Sequence, residues 1–213
     1  YRSFVSGMFI WTCFDYLCEP TPYWWPSRSS FFGIVDLAGI PKDVYYMYQS
    51  EWTDTPVLHL FPHWNWKKGE TVDVWAYYNR ADEVELFLNG ESLGVKSKPD
   101  DAFHVCWRVP FTPGTLKAVS RRDGKEVLTR EIRTAGEPAR IMLIPDRSAL
   151  HADGTDLSFV TVEIQDKDGN LVPYADNLLR FTVEGDGFIA GTDNGDQNDP
   201  VSLKKPERHA FYG

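Results

Sequence analysis

The sequence predicts a mainly β protein whose strands form immunoglobulin-like β-sandwiches. From Val57 onward, short runs of alternating apolar and polar residues follow one another with no helical pattern between them. The joints between these runs carry turn-forming pairs, of which Asn89-Gly90 is the clearest hairpin signal. Strands at regular spacing, joined by tight turns, are typical of a sandwich.

One helix is predicted, over residues 41–52. Pro41 suits a first turn, and Val44, Tyr45, Tyr48 and Trp52 recur at helical spacing. The stretch 53–56 then breaks this pattern, so a first domain is expected to span residues 1–54.

Residues 55–136 are predicted to form one complete sandwich, and residues 137–213 a second, truncated one. The truncation is expected because a seven-strand sandwich takes about 100 residues. The expected strands of the first sandwich are 57–61, 71–78, 83–88, 104–111, 115–121 and 127–134, with a further strand returning after the Asn89-Gly90 turn. Those of the second are 139–145, 157–165 and 179–183.

Composition limits the partners. A formal net charge of -9 and a pI near 5.0 argue against a nucleic-acid partner, which requires a clustered basic face. Aromatic residues make up 15% of the chain, which suits the binding of neutral sugars. No apolar run reaches the roughly 18 residues of a membrane span, so none is expected.

The first forty residues carry the most informative motif. Residues 7–14 are nearly all apolar, as in a strand covered on both faces, and Trp11, Tyr16 and the run Tyr23-Trp24-Trp25 crowd at its end and just after it. This arrangement predicts the end of a sugar pocket. The alternative is a large aromatic core packed against another layer.

The first fifty residues, taken in sequence order, resemble a segment of glycoside hydrolase family 2. This segment is the last barrel strand and last helix of the catalytic barrel, in particular in bacterial β-galactosidase-like enzymes. The phrase Leu86-Phe-Leu-Asn-Gly-Glu-Ser-Leu-Gly94 resembles the sandwich that follows the barrel in that family. The resemblance implies immunoglobulin-like sandwiches preceded by a remnant, the last strand and helix, of a (β/α)8 barrel. It also implies a parent enzyme that hydrolyses terminal β-galactosides with retention and is periplasmic or secreted.

The same resemblance places the two catalytic glutamates on earlier barrel strands, so no catalytic residue is expected in this chain. It assigns Trp11 to one wall of the subsite that holds the released sugar. Asp15 and Glu19 are weaker candidates for substrate contacts: Asp15 is expected to orient a neighbour or cap the strand end, and Glu19 to line the loop. The carbohydrate substrate is the expected partner of the intact enzyme, and the chain alone is expected to be inactive.

No cofactor or metal site is predicted. The five histidines lack metal-ligand spacing. Oxygen-bearing side chains are densest at Asp193, Asn194, Asp196, Asn198 and Asp199, where a turn with side-chain hydrogen bonds is favoured over a calcium loop, although ion binding is left open.

Two other functions are left open. The chain is a self-standing carbohydrate-binding module if its sandwich exposes a tryptophan platform, or a structural spacer if Trp64, Trp66, Trp75 and Trp107 are all buried. Because an apolar strand must be covered, residues 4–17 are expected to pack against the first sandwich or against another copy in a homo-oligomer.

Overall fold

The chain is mainly β, which confirms the predicted fold class. The computed structural model describes residues 4–99 and 101–213, and within them it places eleven strands and one α-helix. These described residues include no helix with the length and apolar character needed to cross a membrane.

The central part of the chain is a sandwich of two antiparallel sheets. Strands β1, β2 and β5 form one sheet, and β4, β3, β6 and β7 form the other in that order. Their bounds are β1 (Leu58–Phe61), β2 (Thr71–Tyr78), β3 (Glu83–Leu88), β4 (Glu91–Lys96), β5 (Val105–Pro110), β6 (Thr115–Arg122) and β7 (Lys125–Arg133). All six strands expected from the alternating pattern are present, as is the strand that returns after the Asn89-Gly90 turn.

Side chains from both sheets fill one core between them. Trp64, Leu86 and Leu116 are completely buried. Leu86 and Leu116 lie on β3 and β6, where alternate residues point to the same face. The indole Nε1–H of Trp64 donates a hydrogen bond to the carbonyl of Thr112 at 2.9 Å, so the buried polar atom is satisfied.

The predicted helix, α1 (Asp43–Trp52), lies against β1 and β2. Lys42 occupies the position before its first turn, so Pro41 precedes the helix rather than entering it. The ring of Tyr46 stacks on His59 of β1 at 3.9 Å, and the His59 ring contacts the Asp43 carboxylate at 2.7 Å. These contacts fasten the helix to the outer face of the sandwich.

Two pairs of strands follow the sandwich. β8 (Arg140–Pro145) pairs with β9 (Val160–Gln165), and β10 (Leu178–Arg180) pairs with β11 (Glu207–His209), both antiparallel. The first two strands agree with prediction, although β9 begins three residues later than expected, and the third is shorter. β11 was not predicted. A small core of five buried residues joins the two pairs: Ala135, Ile164, Val172, Ala175 and Leu179.

The strand predicted over residues 7–14 is wrong. Within this stretch only Phe14 takes part in a bridge, parallel to Val35, and the backbone is otherwise irregular. The described residues supply a pairing partner along one short segment only, and a strand requires a longer hydrogen-bonded ladder.

The expected packing of residues 4–17 on the first sandwich is also wrong. Met8 is 90% exposed, Phe9 is fully exposed and Trp11 is 74% exposed. α1 covers the sandwich and leaves these side chains in solvent. Cover by another copy of the chain stays a prediction.

Candidate functional site

The aromatic side chains after residue 10 form a connected cluster, here called the aromatic loop and defined as residues 11–32. Trp11 donates its Nε1–H to the Tyr16 hydroxyl at 3.1 Å, with the two rings edge to face. The Tyr16 hydroxyl donates in turn to the Glu19 carboxylate. That hydrogen bond is the main reason why the pKa of Tyr16 is raised above its ordinary value. Trp11 and Glu19, two of the predicted site residues, therefore meet through Tyr16.

Edge-to-face ring contacts continue from Tyr16 along the loop. Its ring centroid lies 5.9 Å from that of Phe32, and the Phe32 centroid lies 5.8 Å from that of Phe31. Tyr23 contacts Phe31 at 4.8 Å. Such contacts fix the orientation of each ring against the next.

The third predicted residue, Asp15, lies in the same loop and is only 5% exposed. Its Oδ1 accepts hydrogen bonds from the Gly33 amide at 2.7 Å and from the Ser30 hydroxyl at 3.3 Å. Its Oδ2 pairs with the Lys42 ammonium at 2.5 Å, and that ammonium also donates to the Phe31 carbonyl at 2.8 Å. The carboxylate is thus fully engaged inside the protein and ties the two halves of the loop together.

The close approach at Gly33 explains why glycine stands there. A side-chain carbon at this position would overlap the backbone of Phe14 and Asp15. Absence of a side chain lets residues 33–35 run beside residues 12–15, where the Asp15 and Val35 amides donate to the Val35 and Cys13 carbonyls at 2.8 and 2.9 Å.

Exposure separates the aromatic loop from the sandwich. Trp24 and Trp25 are 89% and 80% exposed, whereas Trp64 and Trp107 are buried. Trp66 and Trp75 are half-buried. The sandwich therefore presents no exposed tryptophan platform among these four, whereas the aromatic loop exposes Trp11, Trp24 and Trp25.

The carboxylates of this region can bind and orient but are poorly placed for hydrolysis. Retaining hydrolysis takes two carboxyl groups about 5 to 5.5 Å apart, one free to attack and one free to donate a proton. Asp15 is held by Lys42 and Gly33, and Glu19 accepts a hydrogen bond from Tyr16. The arrangement can position a sugar ring and supplies no unengaged carboxylate pair.

The acidic stretch after residue 192 folds as consecutive turns closed by side chains. Asp193 accepts from the Asn194 and Gly195 amides, Asn194 from the Asp196 amide, and Asp196 from the Asn198 amide. This confirms the predicted side-chain hydrogen-bonded turn. Within residues 4–99 and 101–213, no three histidine, cysteine or acidic side chains gather as a metal-binding group.

Sequence reasoning missed the residues that support the site, namely Lys42 and Ser30. Lys42 stands 27 positions after Asp15, and nothing in the local pattern pairs them. The signal that was available is the glycine at position 33 between bulky neighbours, which indicates a close backbone approach.

Two family models match the chain. Residues 141–213 match the model described as "Glycoside hydrolase family 2 C-terminal domain 5", and residues 69–128 match a domain of unknown function, DUF4982. The second match lies in the central sandwich.

Curated relatives extend the match over the chain. The chain is 64% identical over 212 residues to "Beta-galactosidase BoGH2A" of Bacteroides ovatus, which covers 100% of the chain and 25% of that protein. It is 40% identical to a "Putative beta-glucuronidase" of Formosa agariphila, over 98% of the chain and 21% of that protein. The chain thus spans about a quarter of the length of these relatives.

Solved structures share the fold. A β-glycosidase from Bacteroides vulgatus superposes with a TM-score of 0.88 at 40% identity, covering 94% of the chain and 26% of that structure. A glycosyl hydrolase family 2 member from Bacteroides cellulosilyticus gives a TM-score of 0.85 at 33% identity, over 95% of the chain and 31% of that structure. The chain belongs to glycoside hydrolase family 2.

Proposed function

We propose that the chain is the C-terminal part of a retaining β-galactosidase that releases terminal β-galactosides. The observation that carries this proposal is the 64% identity, over the whole chain, to a protein named as a β-galactosidase. The catalytic carboxylates lie in another part of the enzyme, and this chain contributes one wall of the sugar subsite together with the sandwiches that follow it.

Trp11 is the proposed wall of that subsite. Its indole is 74% exposed, and its Nε1–H is anchored on Tyr16, so its orientation is set while its ring remains accessible. A sugar ring buries its apolar face on such a surface while polar groups elsewhere hold its hydroxyls. Glu19 lies beside this wall through Tyr16, whereas the buried Asp15 supports it.

A β-glucuronidase is the second candidate, because the relative at 40% identity carries that name. The two substrates differ at two positions of the sugar: the configuration of the hydroxyl at C4, and a hydroxymethyl group against a carboxylate on C5. We favour the galactosidase because the sequence identity to the β-galactosidase is higher. Assays with an aryl β-galactoside and an aryl β-glucuronide distinguish the two activities.

A self-standing sugar-binding module on the sandwich is disfavoured. Trp64 and Trp107 lie in its core and Trp66 and Trp75 are half-buried, so none of the four offers the exposed platform that this alternative requires.

The test uses the purified chain and a longer polypeptide that also carries the upstream barrel. The chain alone is expected to hydrolyse neither an aryl β-galactoside nor an aryl β-glucuronide, because acid and nucleophile each contribute orders of magnitude to the rate. The longer polypeptide is expected to hydrolyse the galactoside. Turnover by the chain alone that disappears in Glu19→Gln would overturn the proposal.

In the longer polypeptide, Trp11→Ala should lower kcat/KM by roughly 30- to 1000-fold, or about 2–4 kcal/mol, as one large aromatic contact is lost. Trp52→Ala is the matched control, since Trp52 is similarly exposed, at 67%, at the end of α1. Equal activity of the two variants would remove Trp11 from the site.

We propose a periplasmic or secreted location for the parent enzyme, which cell fractionation tests. Homo-oligomerisation through residues 4–17 is proposed as one way to cover their exposed apolar side chains. Analytical ultracentrifugation tests it, and a monomer at micromolar concentration would contradict it.

A further inference from the structure

A loop from the end of the chain lies against the segment that carries the candidate sugar site. This loop, here called the acidic loop, consists of residues 193–199. Its Gln197 carbonyl accepts a hydrogen bond from the Arg28 amide at 3.0 Å. A second contact brings its Gly195 against the carboxylate of Asp36. More than 150 positions separate these partners in sequence.

Gly195 fits this contact because it has no side chain. The residue is buried, and a side-chain carbon there would overlap the Asp36 carboxylate. Its φ of +73° is in addition a left-handed conformation that other residues adopt with difficulty. The left-handed backbone therefore favours glycine, and the contact leaves room for a side chain only if the Asp36 carboxylate moves.

The acidic loop is held in shape by Arg208. Arg208 is only 4% exposed, and its guanidinium donates to the Asp199 carboxylate at 2.6 Å. It also donates to the carbonyls of Thr192, Val201 and Ser202. The planar guanidinium of Arg208 carries five N–H donors and can therefore bind several parts of the loop at once. The loop thus presents a stiff surface to Arg28 and Asp36.

Charges at the contact are partly withdrawn from water. Burial raises the pKa of Asp36, and the nearby Asp193 carboxylate raises it further, while the amides of Ile40 and Ala38 and the charge of Lys42 act to lower it. Burial also acts to raise the pKa of Asp199, but hydrogen bonds from Arg208 and Val201 and the charges of Arg208 and Arg28 lower it overall. The Arg28 guanidinium thus lies near enough to Asp199 to attract it across the contact.

From Arg28 the contact continues to the aromatic loop through hydrogen bonds. The Arg28 carbonyl accepts from the Cys18 amide at 2.9 Å, and the next pair of bonds joins Ser30 to Tyr16 in both directions. Tyr16 holds both Trp11 and Glu19. The segment that the acidic loop supports is therefore the one on which the rings are mounted.

We propose that the acidic loop is a positioning element of the candidate sugar site, with Gly195 as its critical residue. The proposal deepens the proposed function and rests on the aromatic loop being a sugar subsite. The C-terminal strand pairs are remote from the site in sequence. They would then act on it by fixing the backbone at Arg28 and Asp36.

The first test measures hydrogen exchange by mass spectrometry in the purified chain. Gly195→Ala is compared with Gly154→Ala, because Gly154 also has a left-handed φ, +80°, but a side-chain carbon there meets nothing within 4 Å. We expect exchange in peptides covering residues 12–36 to be at least about 10-fold faster in Gly195→Ala, with the central sandwich unchanged. Gly154→Ala should match the wild type in those peptides.

A rescue variant separates positioning from general destabilisation. Asp36→Ala combined with Gly195→Ala removes the overlap, and its exchange in residues 12–36 should match that of Asp36→Ala alone, which also lacks the carboxylate that accepts from the Ile40 amide. If Gly195→Ala does not fold, Arg208→Lys replaces it, since it loosens the loop without touching Arg28 or Asp36, and the same faster exchange is expected. Exchange at the wild-type rate in residues 12–36 of either variant overturns the proposal.

A kinetic test is made in the longer polypeptide. Gly195→Ala should raise KM for an aryl β-galactoside by about 10-fold, because the ring wall is misplaced, while Gly154→Ala leaves it unchanged. The two failures are distinguishable. An enzyme inactive on galactosides overturns the proposed function and leaves the exchange result standing, whereas an unchanged exchange pattern overturns only the role of the acidic loop.

Discussion

The central sandwich and the aromatic loop use the same kind of residue in opposite ways. In the sandwich, Trp64 is fully buried between two sheets, and its one polar atom is hydrogen-bonded. In the aromatic loop, Trp24 is 89% exposed, and the chain around it is held by polar groups such as the buried Asp15. Aromatic content alone therefore does not distinguish a buried core from an exposed surface.

The difference lies in what fixes the backbone. A ladder of paired strands fixes the sandwich, and its aromatic side chains fill the space between the sheets. The loop has two isolated bridges, Phe14 with Val35 and Leu17 with Ser29, and the ion pair between Asp15 and Lys42 adds to them in place of a ladder. A segment built in this way can keep its rings in solvent and still hold them in place.

The largest expected effect on stability comes from a substitution in the core of the central sandwich. Trp64→Ala should lower the free energy of unfolding by about 3–5 kcal/mol, because it leaves a large cavity and an unpaired Thr112 carbonyl. Urea denaturation followed by circular dichroism measures the change. A loss below about 1 kcal/mol would mean that the core collapses around the gap or that the sandwich is not the cooperative unit.

A smaller, local effect is expected from Asp15→Ala. The substitution leaves the Gly33 amide without its partner and the Lys42 ammonium without its counter-charge, at a cost of roughly 1–3 kcal/mol in the opening of that segment. Amide exchange at Gly33 should accelerate while the urea midpoint of the sandwich stays unchanged. Glu19→Ala is the control, because Glu19 is exposed, and slow exchange at Gly33 in both variants would contradict this account of the loop.

Acid should weaken the C-terminal strand pairs through Asp166. Hydrogen bonds from the Asn170 side chain and the Gly136 amide hold the pKa of Asp166 well below the ordinary value of about 3.9. A folded-state pKa that is lowered contributes stability above the unfolded value, and this contribution is lost as the pH falls toward the folded value. The stability difference between wild type and Asp166→Ala should therefore be largest near pH 6 and shrink toward pH 2. A stability difference that grows as the pH falls would contradict this prediction.

The smallest effect on the free energy of unfolding is expected from a substitution in the exposed aromatic loop. Trp24→Ala should change the free energy of unfolding by less than about 0.5 kcal/mol, since 89% of the side chain is already in solvent. Urea denaturation of Trp24→Ala and Trp64→Ala under the same conditions measures both changes in the free energy of unfolding. A loss comparable to that of Trp64→Ala would show that Trp24 is covered in solution, by another copy of the chain for example.

The sequence predicted the sandwich well because its signals are local. Alternation along strands such as β2 and β6 reports the two faces of a sheet directly, and the Asn89-Gly90 pair reports the turn between β3 and β4. The helix could be predicted for the same reason, with an error of two residues at its start.

Contacts between distant residues could not be predicted in this way. The strand expected over residues 7–14 was inferred from apolar composition, which does not reveal whether a pairing partner lies alongside. β11 has only three residues, too few to show an alternation. The Arg28 contact with Gln197 and the Asp15 pair with Lys42 join segments that share no pattern, so only the folded backbone reveals them.

The exposed strand β8 has a consequence for how the chain behaves in concentrated solution. All six of its residues are exposed, including the run Ile141-Met-Leu-Ile144, and among the described strands it pairs with β9 alone. An apolar strand with an unpaired edge is a template for association, which a net charge of -9 opposes by mutual repulsion at neutral pH. That repulsion vanishes near the pI of 5.0. The colloidal stability of the chain is therefore set by the charge of its whole surface acting against one strand, and its solubility should be lowest in mildly acidic buffer.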